Sequence, residues 1–320
     1  MNPLSFLSII IVGWNSKDLI KLCLESLTRS TQTHFTLSEV ILVDNASTDE
    51  TGPYFQNLQG EYPFSLTVLQ NQVNVGFGRA CNQGVSAATS EFVLLLNPDA
   101  EVFPSTLDDL FLKIQSTQNS QVRLWSIRQV DPQGHTHISC RRLPKLRYYF
   151  AEWLLLNRLF PRQFWGHSMQ EWDHCSTRIV EHPMGAFYVM RKQDYEALGG
   201  FDSRFFVYGE DADFCKRLIH SGYQAMYLGD VVFSHRLNAT TESIKPLRTF
   251  YAMQGNWIYS RIWFSGLSRA VFSGMYVLGY PILRMLGFLV VGNREGLSHF
   301  IQGWMLFIRR CVLNHESHSR

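Results

Sequence analysis

The 320-residue chain is short of sulfur chemistry. It has six cysteines, Cys23, Cys81, Cys140, Cys175, Cys215 and Cys311, and no two of them form a CxxC pair. Scattered single cysteines exclude a disulfide framework and a thiolate zinc site, and predict reduced thiols in a cytoplasmic protein. Net charge is scarce as well. Twenty-nine Lys and Arg against 27 Asp and Glu leave +2, so no global field draws the chain to nucleic acid, and none is expected as a partner. The N-terminal MNPLSFLSIIIVGWN is apolar but lacks a basic leader region and a small-residue cleavage pattern. It predicts a buried first strand rather than a signal peptide. The apolar run around Ala270–Leu283 falls short of the roughly 20 residues of a spanning helix, and Arg284 interrupts it. There is no internal repeat or low-complexity tract.

Hydrophobic residues make up 46% of the chain and aromatics 14%, enough for a sizeable core in one large domain with an appendage or in two small ones. Leu4–Gly13 is apolar and β-branched, as a central strand is. Ser16 is placed to cap a helix to about Ser30, with Leu19, Leu22, Leu24 and Leu27 on its apolar face. Glu39–Asp44 predicts a second strand, followed by a helix from Thr48 or Asp49. Ser65–Gln70 predicts a third strand, Arg79–Ala88 a short helix and Glu91–Leu96 a fourth strand. Strands alternating with helices predict an α/β fold with a mostly parallel, Rossmann-like sheet flanked by helices. Ligands of such sheets gather at the carboxyl ends of the strands.

Two later stretches are basic and aromatic. RLPKLRYYFAEWLLLNRLFPRQFW, ending at Trp165, reads equally as a segment touching a membrane or lipid-linked substrate and as a helix packed on the sheet. After His235, aromatics such as Trp257, Trp263, Phe272 and Tyr276 lie among Arg261, Arg269, Arg284, Arg294, Arg309 and Arg310. This pattern predicts an interfacial amphipathic region, a helical cap on the domain, or both.

Four polar motifs carry the chemistry. Asp44-Asn45-Ala46-Ser47-Thr48-Asp49 follows the second strand. Ser47, Thr48 or Asp49 suffices to cap the next helix, which leaves Asp44 to bind a base or ribose. Asn74-Val75-Gly76-Phe77-Gly78-Arg79-Ala80-Cys81-Asn82 is neither GxGxxG nor GxxxxGK[ST], which removes support for NAD and for a P-loop. Alone it reads as a structural loop or as a phosphate site. Leu96-Asn97-Pro98-Asp99 is either a turn or a carboxylate able to meet a divalent cation on a diphosphate. Phe187–Arg217 holds a Gly199-Gly200 pair, an aromatic run, and Glu210, Asp211 and Asp213 at the head of a predicted helix.

In this order and spacing, VDNASTDET, NVGFGRACNQG, LLLNPDA, GAFYVMRKQDYEALGGFDSRFFVYGEDADFCKRLIHSGY and VVFSHR resemble the family 2 inverting nucleotide-sugar glycosyltransferases of GT-A fold. They come closest to a rhamnosyltransferase-like subgroup of surface-polysaccharide enzymes. The resemblance runs from about Leu4 to His235. It implies a GT-A domain over 1–240 and a helical, possibly membrane-associated extension over 241–320. It also implies a nucleotide-sugar donor, dTDP-rhamnose first and a UDP-sugar next, and an acceptor that is a glycan, on a polyprenyl lipid or free. The expected place is the inner face of the cell membrane.

Residue by residue, the resemblance places Gly13, Asn15, Asp44, Asn45, Gly76, Arg79, Asn82, Asn97 and Asp99 around the nucleotide sugar. Asp99 and His235 are the implied ligands of Mn²⁺ or Mg²⁺. Asn97 stands where an aspartate is usual, so it is expected at ribose or phosphate rather than on the metal. Gly185, Gly199, Gly200, Phe201 and Tyr208 fall in the acceptor loop. Of Phe201, Phe205, Phe206 and Tyr208, at least half are expected to pack rather than to stack on a sugar. Asp211 is the implied catalytic base, with Glu210 its competitor and Asp213 pointing elsewhere. Independently, an inverting transfer needs one base for the acceptor hydroxyl, and a helix N-terminus favours the anionic form of Asp211. A nucleotidyltransferase is disfavoured because VGWNSKD follows the first strand where a glycine-rich basic loop is needed. A non-enzymatic homologue acting through its C-terminal third is disfavoured by the joint presence of Asp44, Asp99, Asp211 and His235.

Overall fold

A computed structural model describes residues 5–117, 121–236 and 244–313. Leu4 and the boundary placed at 240/241 lie outside these residues. The strands are β1 (Ser5–Gly13), β2 (Phe35–Asp44), β3 (Ser65–Gln70), β4 (Phe92–Leu96), β5 (Ala100–Val102), β6 (Val122–Val130), β7 (Cys140–Arg141), β8 (Arg178–Val180), β9 (His182–Pro183), β10 (Phe187–Arg191) and β11 (Gln224–His235). The main sheet runs β3-β2-β1-β4-β10-β6-β11-β5, with β8 also on β11, and β7 and β9 pair separately. Its β3-β2-β1-β4 half is parallel. β10 enters antiparallel to both β4 and β6. The first four expected strands are present, with β2 four residues longer at its start than the Glu39 boundary.

Both faces of the parallel half are covered, so β1 and β4 are buried along nearly their whole length. This is why they read as continuous apolar runs rather than as alternation. Helices α1 (Lys17–Thr28), α2 (Thr51–Asn57), α3 (Phe77–Ala87) and α4 (Thr106–Thr117) follow the early strands. Their caps differ from expectation. Ser16 holds the N-cap position of α1, but its hydroxyl makes no cap bond and is buried without a partner. Helix α2 starts at Thr51, behind a left-handed Glu50. Asp49 instead accepts from the Thr51 and Lys17 backbone N–H groups, tying α2 to α1.

After β7 come α5 (Leu146–Trp153), α6 (Leu156–Leu159), α7 (Lys192–Ala197) and α8 (Glu210–His220). The chain then closes with α9 (Lys245–Trp263), α10 (Gly266–Gly274), a π-helical turn (Met275–Gly279), α11 (Tyr280–Val291), α12 (Arg294–Phe307) and a last π-helical turn (Ile308–Leu313). The basic-aromatic helix α5 packs on these C-terminal helices. Tyr149 Oη donates to Asn256 Oδ1 at 2.6 Å, and the Tyr149 ring lies 5.1 Å from Phe272.

The C-terminal region corrects one expectation. Gly266–Val291 is a continuous helical run of 26 residues, long and apolar enough by length and composition to cross a membrane. Sequence inspection stopped at Arg284. That side chain folds back over the Phe288 ring at 5.0 Å, so the helix passes it without a break.

Candidate active site

The site forms where β1, β2, β4 and β11 end. β2 terminates in Asp44, which is fully buried. Its Oδ1 accepts from Ser47 N at 3.1 Å in the turn ahead of α2, while Asp49, not Asp44, accepts from the first N–H of the helix. Oδ2 is buried with no hydrogen-bond partner. Gly52 lies over it, and a Cβ there would stand 2.5 Å from that oxygen. An orphaned carboxylate oxygen beneath a gap that only glycine leaves fits a donor from a nucleoside. Gly52 was missed by sequence inspection, although it follows directly on DNASTDET.

The remaining first-motif residues build the rim. Gly13 accepts from Asn45 N at 2.8 Å, and any side chain on it would strike Ile20 of α1. Asn15, at a left-handed φ of 49°, accepts from Thr48 N at 2.7 Å and donates from its own backbone to Ser47 Oγ. Asn45 accepts from Val75 N at 3.0 Å and donates to Asn74 Oδ1 at 2.9 Å, so it carries the glycine loop on its side chain.

That loop leans on the aromatic loop. Gly76 has φ +88°, and a Cβ there would meet the Phe206 carbonyl at 2.5 Å. The next N–H, from Phe77, donates to that carbonyl at 2.7 Å. Arg79 Nε donates to Ser203 O at 3.3 Å. Asn82 Nδ2 donates to Phe201 O at 2.8 Å, while Asn82 Oδ1 accepts from Tyr195 Oη at 2.6 Å and Phe201 N at 2.9 Å. Arg79 and Asn82 therefore join the glycine loop to the aromatic loop, and both polar groups of Asn82 are engaged in doing so.

The expected metal pair meets at the far edge of the sheet. β11 ends at His235, opposite Ala100 of β5. His235 Nε2 lies 2.8 Å from Asp99 Oδ1, and both side chains are 4% exposed. Gln129 Nε2 stands 2.7 Å from His235 Nδ1 and orients the ring, while Asn97 Nδ2 is 3.3 Å from Nε2. Among the described residues no third His, Cys, Asp or Glu joins them. One carboxylate and one imidazole fit a Mn²⁺- or Mg²⁺-type ion that takes its other oxygens from a bound diphosphate and water.

Asp211 lies in the first turn of α8. Its Oδ2 is 3.1 Å from His182 Nε2 and accepts from Gly185 N at 3.3 Å, and its Oδ1 accepts from Ala212 N at 2.8 Å. Burial works against the anion, but the charge of His182 beside it, the charge of Arg141 and the Ala212 N–H outweigh it. They hold the carboxyl well below the usual range. His182 is 4% exposed and sits on β9, whose partner β7 places Arg141 opposite it. Sequence inspection missed His182, a single buried histidine with no motif to mark it. The Gly185–Ala186 backbone links Asp211 to the Asn97 turn, since Gly185 N donates to Asp211 and the Ala186 carbonyl accepts from Asn97 N at 3.1 Å.

Glu210 faces the other way, against Gly78 of α3. It is buried, its Oε2 has no partner, and burial together with the Asp211 charge pushes its carboxyl up to about 8. Glu210 is thus packed on the α3 side, and the Gly185 N–H and His182 contacts belong to Asp211 and not to it. Asp213 does point elsewhere. It accepts from Arg217 Nε and from Trp263 Nε1, both at 2.8 Å, so α9 is tethered to α8. Arg217 also donates to Gly200 O at 2.8 Å, beneath the Gly199–Gly200 turn, where φ is +81° and +64°.

The aromatic loop divides as anticipated. Phe201 and Phe205 are each 1% exposed. Phe201 packs edge-on against Tyr195 and Phe214, so it cannot face an acceptor as first assigned. Phe206 stacks on Tyr251 of α9 at 4.7 Å. Tyr208 is half-buried, with φ +68°. α9 presses on the backbone there, since a Cβ on Gly255 would collide with the Tyr208 carbonyl.

A family model described as "Glycosyl transferase family 2" matches residues 8–171, and one described as "N-terminal domain of galactosyltransferase" matches residues 162–248. An N-acetylglucosaminyl-diphospho-decaprenol L-rhamnosyltransferase of Mycobacterium tuberculosis is 28% identical over 214 residues, covering 63% of this chain and 67% of that protein. The rhamnosyltransferase WbbL of Escherichia coli is 26% identical over 229 residues, 69% of this chain and 79% of its own. Among solved structures, the mannosyltransferase PcManGT of Pyrobaculum calidifontis, in complex with GDP-Man and Mn²⁺, superposes with a TM-score of 0.55. It is 18% identical and covers 95% of this chain and 81% of its own. With a GT-A fold and a first family model spanning just over half of its residues, the chain belongs to glycosyl transferase family 2.

Proposed function

We propose that this glycosyltransferase inverts the anomeric centre as it moves a sugar from a nucleotide-sugar donor to a hydroxyl of a glycan or polyprenyl-linked glycan, in cell-surface polysaccharide synthesis. Rhamnose from dTDP-rhamnose is the first candidate, supported by the two rhamnosyltransferase relatives, and a UDP-hexose is the alternative donor. The lipid-linked acceptor is supported by the diphospho-decaprenol in the mycobacterial relative's name. Work at the inner face of the membrane is supported by that acceptor, and membrane association by the exposed apolar helix Gly266–Val291.

The observation that carries the reading is Asp211, held anionic between His182 and the Gly185 N–H and one peptide away from the Asn97–Asp99 turn. Asp211 accepts the acceptor hydroxyl's proton as that oxygen bonds to the anomeric carbon. The bond from this carbon to the diphosphate oxygen breaks, and its electron pair leaves with the nucleoside diphosphate. A carboxylate held so firmly as the anion is always in its basic form. It takes the proton late, once bond formation has acidified the hydroxyl. Asp44, with its orphaned Oδ2, and the Asn15–Thr48 rim hold the nucleoside. Gly199–Gly200 and Tyr208 form the acceptor floor. A divalent cation, Mn²⁺ or Mg²⁺, held by Asp99 and His235 would offset charge growing on the leaving diphosphate.

The test is a donor-hydrolysis screen across dTDP- and UDP-sugars with Mn²⁺, together with nucleotide-stabilised melting. Turnover of dTDP-rhamnose is the expected result. Turnover of UDP-sugars alone reassigns the donor. No turnover and no melting shift with either nucleotide favours a non-enzymatic homologue.

A further inference from the structure

The α5–α6 hairpin and the loop after it form an open cleft of ≈230 Å³, lined by Arg147, Tyr148, Ala151, Arg162, Phe164 and Trp165 among others. Cations crowd the Tyr148 ring, with Arg142, Lys145 and Arg147 all within 5.8 Å of its centroid. Two of them are neutralised. Arg142 pairs with Glu171, and Lys145 pairs with Glu181 at 3.3 Å. Arg147 and Arg162 have no acidic partner among the described residues. Arg147 donates only to Tyr148 Oη, at 2.8 Å. The cleft therefore presents two uncompensated guanidiniums, the side chain best shaped to grip phosphate oxygens.

Trp165 of its lining is 53% exposed, and in the segment the chain runs through between Ala151 and Arg162, Leu155, Leu159 and Phe160 are 51%, 67% and 52% exposed. The hairpin adjoins the long C-terminal helix through Trp153, whose ring lies 5.6–5.9 Å from those of Phe272, Tyr276 and Tyr280. That helix exposes Leu267, Leu289, Val290 and Val291 at 60% or more. On its other side the hairpin packs, through a line of rings, towards Asp211. Tyr149 stacks on His167, His167 lies 6.2 Å from His182, and His182 contacts Asp211.

We infer that this cleft binds the phosphate of a lipid-linked acceptor. Arg147 and Arg162 grip an isoprenoid diphosphate, and the Leu155–Trp165 ridge follows its chain into the bilayer. This rests on the lipid-linked acceptor proposed above, and it names the part of the protein that takes the lipid-phosphate end. Charge complementarity selects the phosphate. The choice of an acceptor over a bulk phospholipid comes from the lipid-linked acceptor proposed above, and the charge-matched phosphatidylglycerol arm below tests it.

The test is co-sedimentation of the full chain with three vesicle preparations: phosphatidylcholine alone, with phosphatidylglycerol, and with undecaprenyl diphosphate at matched charge. Retention should be strongest on the isoprenoid diphosphate. R147Q/R162Q should weaken it by about tenfold or more, with an unchanged melting temperature. If the double variant melts early, R162Q in the exposed loop carries the same comparison. Equal retention on charge-matched phosphatidylglycerol, equal retention by the variants, or no retention on any vesicle overturns the site. Binding needs no donor. A protein that binds these vesicles but hydrolyses no nucleotide sugar would therefore refute the transfer reading while leaving the cleft intact.

Discussion

His182 Nε2 lies 3.1 Å from Asp211 Oδ2, inside a pocket where the histidine is almost fully covered. The pairing comes from two short strands, β7 and β9, that bring Arg141 and His182 side by side under the head of α8. Like the Gly185 N–H and the Ala212 N–H, it stabilises the charged form of the carboxylate.

Replacing Asp211 with Asn should abolish transfer and leave nucleotide binding intact, because its contacts are to His182, Gly185 and Ala212 and to none of the Asp44 rim. Turnover is expected to fall by at least 10²-fold, the lower end of what a positioned base contributes. Calorimetric titration of the nucleotide should be unchanged. Near-normal turnover would remove Asp211 from the base role.

His182→Phe should move the acid limb of the kcat/KM profile to higher pH. The parent Asp211 is held below the usual carboxylate range, so its anion persists as pH falls. Without His182, burial pushes the carboxyl up and protonation begins at higher pH. An unchanged acid limb, measured alongside an unchanged melting temperature, would show that His182 only fills space.

Glu210 makes the opposite prediction for stability. Its folded carboxyl is raised to about 8, so the folded state keeps a proton that the unfolded chain loses in the usual carboxylate range. The stability this gives is complete at acid pH and is lost as pH rises through about 8. Glu210→Gln should flatten the fall in melting temperature over that window while keeping turnover within a few fold. A variant as pH-sensitive as the parent would place the titration elsewhere.

Chelation of divalent metal should suppress activity, and Asp99→Ala should raise the metal concentration needed for half-maximal rate. His235→Ala should do the same with a larger effect on Mn²⁺ than on Mg²⁺, because imidazole suits the softer ion. Activity indifferent to chelator would identify a metal-independent enzyme and leave the Asp99–His235 pair a structural bond.

Gly255→Ala should destabilise the protein by about 1–3 kcal/mol, since the new methyl meets the Tyr208 carbonyl. It should also raise the acceptor KM by shifting the loop ahead of α8. Thermal melts and acceptor titration together check both effects, and an unperturbed KM would uncouple α9 from the site.

The early strands were legible because β1, β2 and β4 are buried on both faces and therefore carry unbroken apolar runs. β5, β6, β8, β10 and β11 were not placed. Several are short, and β10 is recognisable as a strand only through its antiparallel neighbours. The Gly266–Val291 helix was cut at Arg284 because a charge reads as a stop in one dimension. In three dimensions the guanidinium lies on Phe288 and the helix continues.

What the residues alone determined was chemistry and order: acid after the second strand, glycine loop, Asn-Pro-Asp turn, and acids at a helix head followed by a histidine. These are local, since each depends on a strand ending or a helix starting. What only the tertiary structure decided was which acid faces which way. Glu210 and Asp211 are adjacent in sequence, yet one is driven neutral against α3 and the other is held anionic by His182. Successive residues of a helix point about 100° apart, and only the packed neighbours on each side decide which direction is core and which is site.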